Sequence, residues 1–315
     1  MPMSNSAPLL ASASAPPGLR HWVVLVGCAL VTIGCYLFPM AILVPQLAET
    51  VPSHVDEVIP GVASLWPPVD HREAGSTTLP YVLTLVVLFG AYSVALQSVA
   101  GRSSRALVIA VFGTGALIQV LLATSPVMLA NDVYSYAAYG RMFALSHVDP
   151  AMALTQLPAD DPYTKLWGEH LPPSSYGPVW TLVSAGVALA ATQQVGMTVL
   201  LYRAIAVLAV LGAAAMIAIC LRRLASARVA QGVLFFMWNP LVVLESALSA
   251  HNDAVMIAFF LAGIALHLYG RRFGAMLFFA LSVLIKFATA ALIPIYVIMV
   301  LRQLPSWRAR NRFLA

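Results

Sequence analysis

From Asn131 to Trp180 the chain reads NDVYSYAAYGRMFALSHVDP, then, after a short gap, DDPYTKLWGEHLPPSSYGPVW. Carboxylates, tyrosines, an arginine and a lysine crowd this stretch, between segments that look lipid-soluble. Asp132 opens VYSYAAYGRMFAL, a run that reads as an amphipathic helix lying at a membrane surface. Tyr136, Tyr139 and Phe143 share one face at three- and four-residue spacing, and tyrosine favours the headgroup level. Asn131 or Asp132 has two readings here. Either side chain can cap the helix that follows. A carboxylate at the water–lipid boundary can also act as a general base, taking a proton from an acceptor hydroxyl beside a lipid-borne substrate. Pro172-Pro173-Ser174-Ser175-Tyr176-Gly177-Pro178 must turn sharply, because its prolines refuse helix. The turn is a rigid hinge, or a cleft wall that presents Tyr176 to ligand.

A second group lies further on. His251-Asn252-Asp253 follows a segment carrying Asn239-Pro240 and Glu245. Asn252 or Asp253 can cap the next helix, and the trio equally suits hydrogen bonding to a sugar or phosphate. A metal would need a third ligand that the pattern does not supply. Lys286 sits in LIKFATAALIPIY, where it either snorkels to the interface or faces a lipid-borne phosphate at that depth. Arg203 and then Arg141 are the next candidates for that phosphate.

These residues need elements to hold them. Hydrophobic residues make up 61% of the chain and charged residues 9%, with a mean hydropathy of +0.87. Soluble domains carry roughly 25% charged residues, so this is an all-α polytopic membrane protein. About 20 helical residues cross the hydrocarbon. We place about eight transmembrane helices near 22–46, 79–99, 106–129, 197–220, 229–247, 253–270, 272–286 and 288–302. The short apolar piece Pro178 to Ala191 is taken as an interfacial or re-entrant helix. Counted as a ninth span, it would move Arg222, Arg223 and Arg228 to the outer side. With eight spans, the arginines at 20, 102–105, 222–228, 271–272 and 302–312 are cytoplasmic, as the positive-inside bias requires. All 12 acids then fall outside or at outer span ends. Asp132, Tyr176, Arg203, Glu245, His251 and Lys286 land on that outer face together. Ionisable residues at such depths are costly and tend to be functional. The domain layout is a disordered cytoplasmic N-terminus over 1–21 and a transmembrane domain over 22–302 with outer loops 47–78 and 130–196. A basic cytoplasmic tail covers 303–315.

Several chemistries are excluded. There is no internal repeat, Gly-rich nucleotide loop, HExxH or GxSxG pattern, so no cofactor or metal is expected. The net charge of +5 reads as loop charge, with no nucleic-acid footprint. Cys28, Cys35 and Cys220 read as buried apolar thiols.

NDVYSYAAYGRM, DPY, SSYGPVW, WNPLVVLESALSAHNDAVMIAF and SVLIKFATAALIP, in that order, resemble the polyprenyl-phosphomannose-dependent mannosyltransferases of actinobacterial lipoglycan assembly. These are integral-membrane glycosyltransferases of the C superfold, and the similarity runs from about Ala106 to Leu301. The resemblance implies a lipid-linked sugar donor, a glycan or glycolipid acceptor on the outer face, and an aspartate base at the position of Asp132. His147-Val148-Asp149-Pro150-Ala151 departs from the family's Asn-Pro-Tyr. Family members also continue with further spans, so the chain reads as a short form, a fragment or half of a split gene. The expected activity is transfer of a hexose, by resemblance mannose, from polyprenyl phosphate to a glycan hydroxyl. Tyr136, Arg141, Tyr176, Arg203, Glu245, His251, Asn252, Asp253 and Lys286 are the expected substrate contacts. A lipid-linked-sugar flippase and a non-catalytic membrane subunit are the alternatives.

Overall fold

A computed structural model describes residues 18–43, 51–66, 78–151, 157–158, 161–167, 172–304 and 306–307. The expectations for 1–17, most of the basic tail, and Glu49, Asp70, Glu73, Asp160 and Glu169 lie outside these residues. In chain order the helices are α1 (Leu19–Cys35, continued by a π turn at Tyr36–Met40), α2 (Thr78–Ser98), α3 (Arg105–Ala123) and α4 (Asp132–Leu145). Then come α5 (Pro162–Trp167), α6 (Pro178–Ala191), α7 (Val195–Leu224), α8 (Ser226–Met237) and α9 (Pro240–Leu248). The last are α10 (Asp253–Leu268), α11 (Arg272–Ile285) and α12 (Leu292–Gln303). Helix therefore begins at Leu19, inside the segment expected to be disordered.

The polytopic reading holds in a modified form. Four described helices, α1, α2, α3 and α7, are long and apolar enough to cross a membrane, and α8 with α9 makes a fifth if the bent pair is one span. The rest are short: α6 and α11 have 14 residues and α10 has 16. At 1.5 Å per residue, α6 reaches only about 21 Å. The span expected over 229–247 is broken by a 52° bend. Pro240 lacks an N–H and disfavours helix at Asn239, whose side chain instead accepts from the Leu241 amide. The span expected over 106–129 ends at Ala123. Beyond it, Val127–Met128 forms β2, antiparallel to Val51–Pro52 (β1), with Val51 opposite Met128.

Outward side chains of α1 and α2, such as Val23, Leu30, Leu83 and Val86, are large, apolar and exposed. In water these would form an untenable patch, whereas hydrocarbon accepts them while each helix satisfies its own backbone. The 30-residue α7 is the axis of the bundle, packing against α3, α6, α8 and α10. A second layer pairs α4 with α6 and α10 with α11. Helices α4 and α6 approach closely because position 140 is glycine, where a Cβ would lie 2.2 Å from the Ser184 carbonyl oxygen.

The arginine-bearing loops gather at one end. The Ala230 amide donates to Ser103 Oγ, and the Arg223 guanidinium lies 5.0 Å from the ring centre of Tyr269. Asp132, the Tyr176 turn, His251 and Lys286 occupy the other end of the bundle, where α4, α6 and α10 begin and α11 finishes.

Candidate active site

Asp132 is the first residue of α4, but neither it nor Asn131 caps that helix. The Asn131 side chain makes no capping bond, and the Asp132 carboxylate is engaged elsewhere. Tyr176 donates its hydroxyl proton to Asp132 Oδ1 at 3.0 Å, and His251 Nε2 lies 3.0 Å from Asp132 Oδ2. The other His251 nitrogen, Nδ1, makes a short contact with Glu245 Oε2. An imidazole with a carboxylate on each nitrogen carries a proton on both. Burial alone would lower the His251 pKa, but the bonds to Asp132 and Glu245 outweigh it and raise the value to about 9. Asp132 responds in the opposite sense. Its hydrogen bond to His251 holds its pKa below the usual carboxylate value against the cost of burial, with smaller pulls from Tyr176 and Lys286. The Tyr176 hydroxyl is pushed up, first by burial and then by the Asp132 charge, and so stays a donor.

Local backbone explains how three distant segments meet. Gly177 donates its amide to the Ile285 carbonyl at 3.0 Å, and a Cβ there would lie 2.1 Å from the Leu284 carbonyl oxygen. Only glycine lets the Tyr176 turn lie this close to the end of α11. Lys286 follows at once and donates from Nζ to Asp253 Oδ2 at 2.7 Å. Tyr139 donates to the Pro172 carbonyl, securing the start of the same turn. On the other side, α9 widens into a π turn at Leu244–Leu248, placing Glu245 beside His251. Ala250 then takes a left-handed φ of 55°, which redirects the chain into His251. An apolar cavity of about 410 Å³ opens between α8, α9 and α10, lined by Phe236, Leu241, Val242 and Ile257, with Glu245 and Asp253 at its polar edge.

Asp132, Tyr176, Glu245 and His251 thus form one hydrogen-bonded chain, with the Lys286–Asp253 pair beside it. Four other expected contacts are placed differently. Tyr136 is buried beneath the site, edge-on to Tyr176 and Trp180, and forms its floor. The α4 helix as a whole is no surface helix, because every residue from Val133 to Met142 is buried under the neighbouring helices and the outer segments. Asn252 is fully buried, and its amide neither caps α10 nor finds a partner among the described residues. Arg141 lies nine residues beyond Asp132, about 13 Å along the helix. There it is buried against Asp161, with Nε to Oδ2 at 2.7 Å, and bonded to the Thr192 carbonyl. Arg203 corrects the sequence reading most sharply. It has no solvent exposure, and its five N–H groups all reach carbonyl oxygens, those of Ala123, Ser125, Val127 and, twice, Leu248. A guanidinium has five such donors, so none is left for a phosphate. The sequence carries no signal for this, since every partner is backbone. Among the described residues no three potential ligands converge on a metal position.

A family model described as alpha-(1->6)-mannopyranosyltransferase, N-terminal domain, matches residues 21–302. The chain belongs to this family. That bears out the sequence resemblance at the level of the mannosyltransferase family. One curated relative, alpha-(1->6)-mannopyranosyltransferase B of Corynebacterium glutamicum, is 28% identical over 163 residues. The match takes in 50% of this chain and 26% of the relative, so the chain covers about a quarter of that protein's length. No solved structure matches the chain.

Proposed function

We propose that this chain carries the catalytic end of a membrane glycosyltransferase. It would move a mannosyl unit from a polyprenyl phosphate to a hydroxyl of a glycan or lipoglycan on the outer face, within a C-type architecture. The observation behind this is the Tyr176–Asp132–His251–Glu245 chain, assembled from three segments at the end of the bundle opposite the arginine loops, in a family described by mannosyl transfer.

The chemistry follows from the charges. Asp132 is ionised at neutral pH because His251 stabilises its anion. Each carboxylate oxygen has two lone pairs, so an acceptor hydroxyl can bond to Asp132 alongside Tyr176. As the acceptor oxygen attacks the anomeric carbon, its proton passes to Asp132 and the bond from that carbon to the phosphate oxygen breaks. Charge grows on the departing polyprenyl phosphate, and fixed cations stabilise it most in a water-poor site. Lys286 spends one of its three N–H groups on Asp253 and can turn the others to that phosphate. His251 supplies a second positive charge. The cavity beside Glu245 and Asp253 offers apolar walls for the first isoprenoid units.

The test is a transfer assay on purified protein in vesicles, with labelled polyprenyl-phosphomannose and a mannan oligosaccharide. Label moving into the oligosaccharide supports the proposal. Label crossing the bilayer without transfer favours the flippase, and neither event favours a non-catalytic subunit.

A further inference from the structure

The Arg203 guanidinium bonds to backbone on both sides of the site and to neither Asp132 nor His251. It binds the Ala123, Ser125 and Val127 carbonyls on one side and the Leu248 carbonyl on the other. The first group runs from Ala123, the last residue of α3, through Ser125 to Val127 in β2, beyond the end of helical bonding. Val127 lies in β2 and precedes Asp132 by five residues. On the other side, Leu248 ends the π turn and precedes His251 by three residues, across the left-handed Ala250. The regular structure at each is short, the two-residue strand β2 on one side and the single π turn on the other. The fully enclosed cation and these carbonyls satisfy one another, with the Ser53 hydroxyl as a second donor to the Ser125 carbonyl.

We propose that Arg203 is a positioning residue, whose single buried guanidinium grips both backbones that deliver Asp132 and His251 and thereby sets the separation of carboxylate and imidazole. A planar fork with five fixed N–H directions can join two such segments rigidly. A lysine ammonium offers only three donors at a point and cannot span them. Arg203 itself touches no substrate. The inference rests on the reading of Asp132 and His251 as a working pair, but its test needs no transfer reaction.

The readout is the protonation of His251 in the full chain, followed by NMR with histidines labelled at Cε1 and the signal assigned by its loss in His251→Asn. Among the described residues Asp132 and Glu245 bond to this ring; Tyr176, Tyr136, Tyr139 and Lys286 face Asp132, Tyr81 faces Glu245, and Asp253 pairs with Lys286. In the native chain the midpoint should lie near pH 9. In Arg203→Lys it should fall by about one pH unit or more, toward the ordinary imidazole value near 6.5. Asp132→Asn should lower it too, and adding Arg203→Lys to that variant should lower it little further. A merely structural Arg203 would reduce the melting temperature and leave the midpoint in place. Where Arg203→Lys is too unstable to titrate, Ser53→Ala decides. The Ser53 hydroxyl donates to the same Ser125 carbonyl, and losing it should produce a smaller shift in the same direction. An unchanged midpoint in folded Arg203→Lys, an equal drop with and without Asp132, or no shift in Ser53→Ala when it is the deciding arm overturns the proposal. A fully active Asp132→Asn would instead overturn the assignment of the base and leave this titration intact.

Discussion

Replacing Asp132 by asparagine isolates the carboxylate's chemistry from its place in the fold. The Asn carbonyl can still accept from the Tyr176 hydroxyl, now held 3.0 Å from Oδ1. Its amide would meet a proton on His251 Nε2, so the imidazole must shed that proton and accept instead, keeping Nδ1–H toward Glu245. The pair Asp132–His251 is partly exposed, with side chains 36% and 19% accessible. Solvent screening limits such a pair to about 1 kcal/mol or less, so the melting temperature should move by only a few degrees. Catalysis has no such cushion. Losing a positioned base costs about 10²- to 10⁴-fold, which corresponds to roughly 3–5 kcal/mol in the barrier. The assay is single-turnover transfer from labelled polyprenyl-phosphomannose, run beside a thermal melt of the same preparation. A variant that melts normally and transfers within about threefold of the native rate would refute the role of Asp132 as base.

Four other outcomes are expected. Cysteines replacing the exposed Ser175 and Ser226, in a background lacking Cys28, Cys35 and Cys220, should label oppositely in intact cells. An impermeant maleimide should reach position 175 at once and position 226 only after the membrane is opened. Lys286→Ala should raise the donor concentration needed for transfer by about ten- to a hundredfold, since a charge-assisted hydrogen bond is worth roughly 1.5–3 kcal/mol; an unchanged requirement would put the phosphate elsewhere. Arg141→Met should destabilise by about 3–5 kcal/mol because it strands the buried Asp161, whereas Arg141→Met with Asp161→Leu should recover most of the loss in a melting assay. Finally, His251 has its pKa raised from 6.5 to about 9, so its stabilisation is complete below pH 6.5 and is lost as pH rises through about 9. Melting temperature should therefore decline over that window in the native chain, and His251→Gln should flatten the decline.

Much of the site was legible because membranes make polar residues conspicuous. Asp132, Tyr176, His251 and Lys286 stood out against apolar surroundings, and the arginine loops supplied a consistent direction. The misplaced charged residues share one physical cause. Sequence shows that a group is expensive to bury, but it does not show what satisfies the group. Arg203 looked like a phosphate ligand because Pro126 marks where α3 stops but not which cation takes the carbonyls left open there. Arg141 looked the same until Asp161, twenty residues on, took its charge. Helix α4 read as amphipathic because its tyrosines suggested an interface. Gly140 and the cover from α6 instead let its whole circumference be enclosed. Span lengths were misjudged wherever a proline or a π turn reset the backbone, as at Asn239-Pro240 and Leu244–Leu248.

The bond from the Gly177 amide to the Ile285 carbonyl makes Tyr176 and Lys286 parts of one stiff wall. If that wall moves, it carries the hydroxyl bonded to Asp132 and the Lys286 ammonium together. If the proposed roles hold, the acceptor and donor sides cannot open by turns on this flank. On the proposed reading, room for the acceptor would come from the opposite jamb, where the bent α8–α9 pair meets α10. That same seam leads into the apolar cavity, so the lipid chain and the growing glycan would share a single doorway.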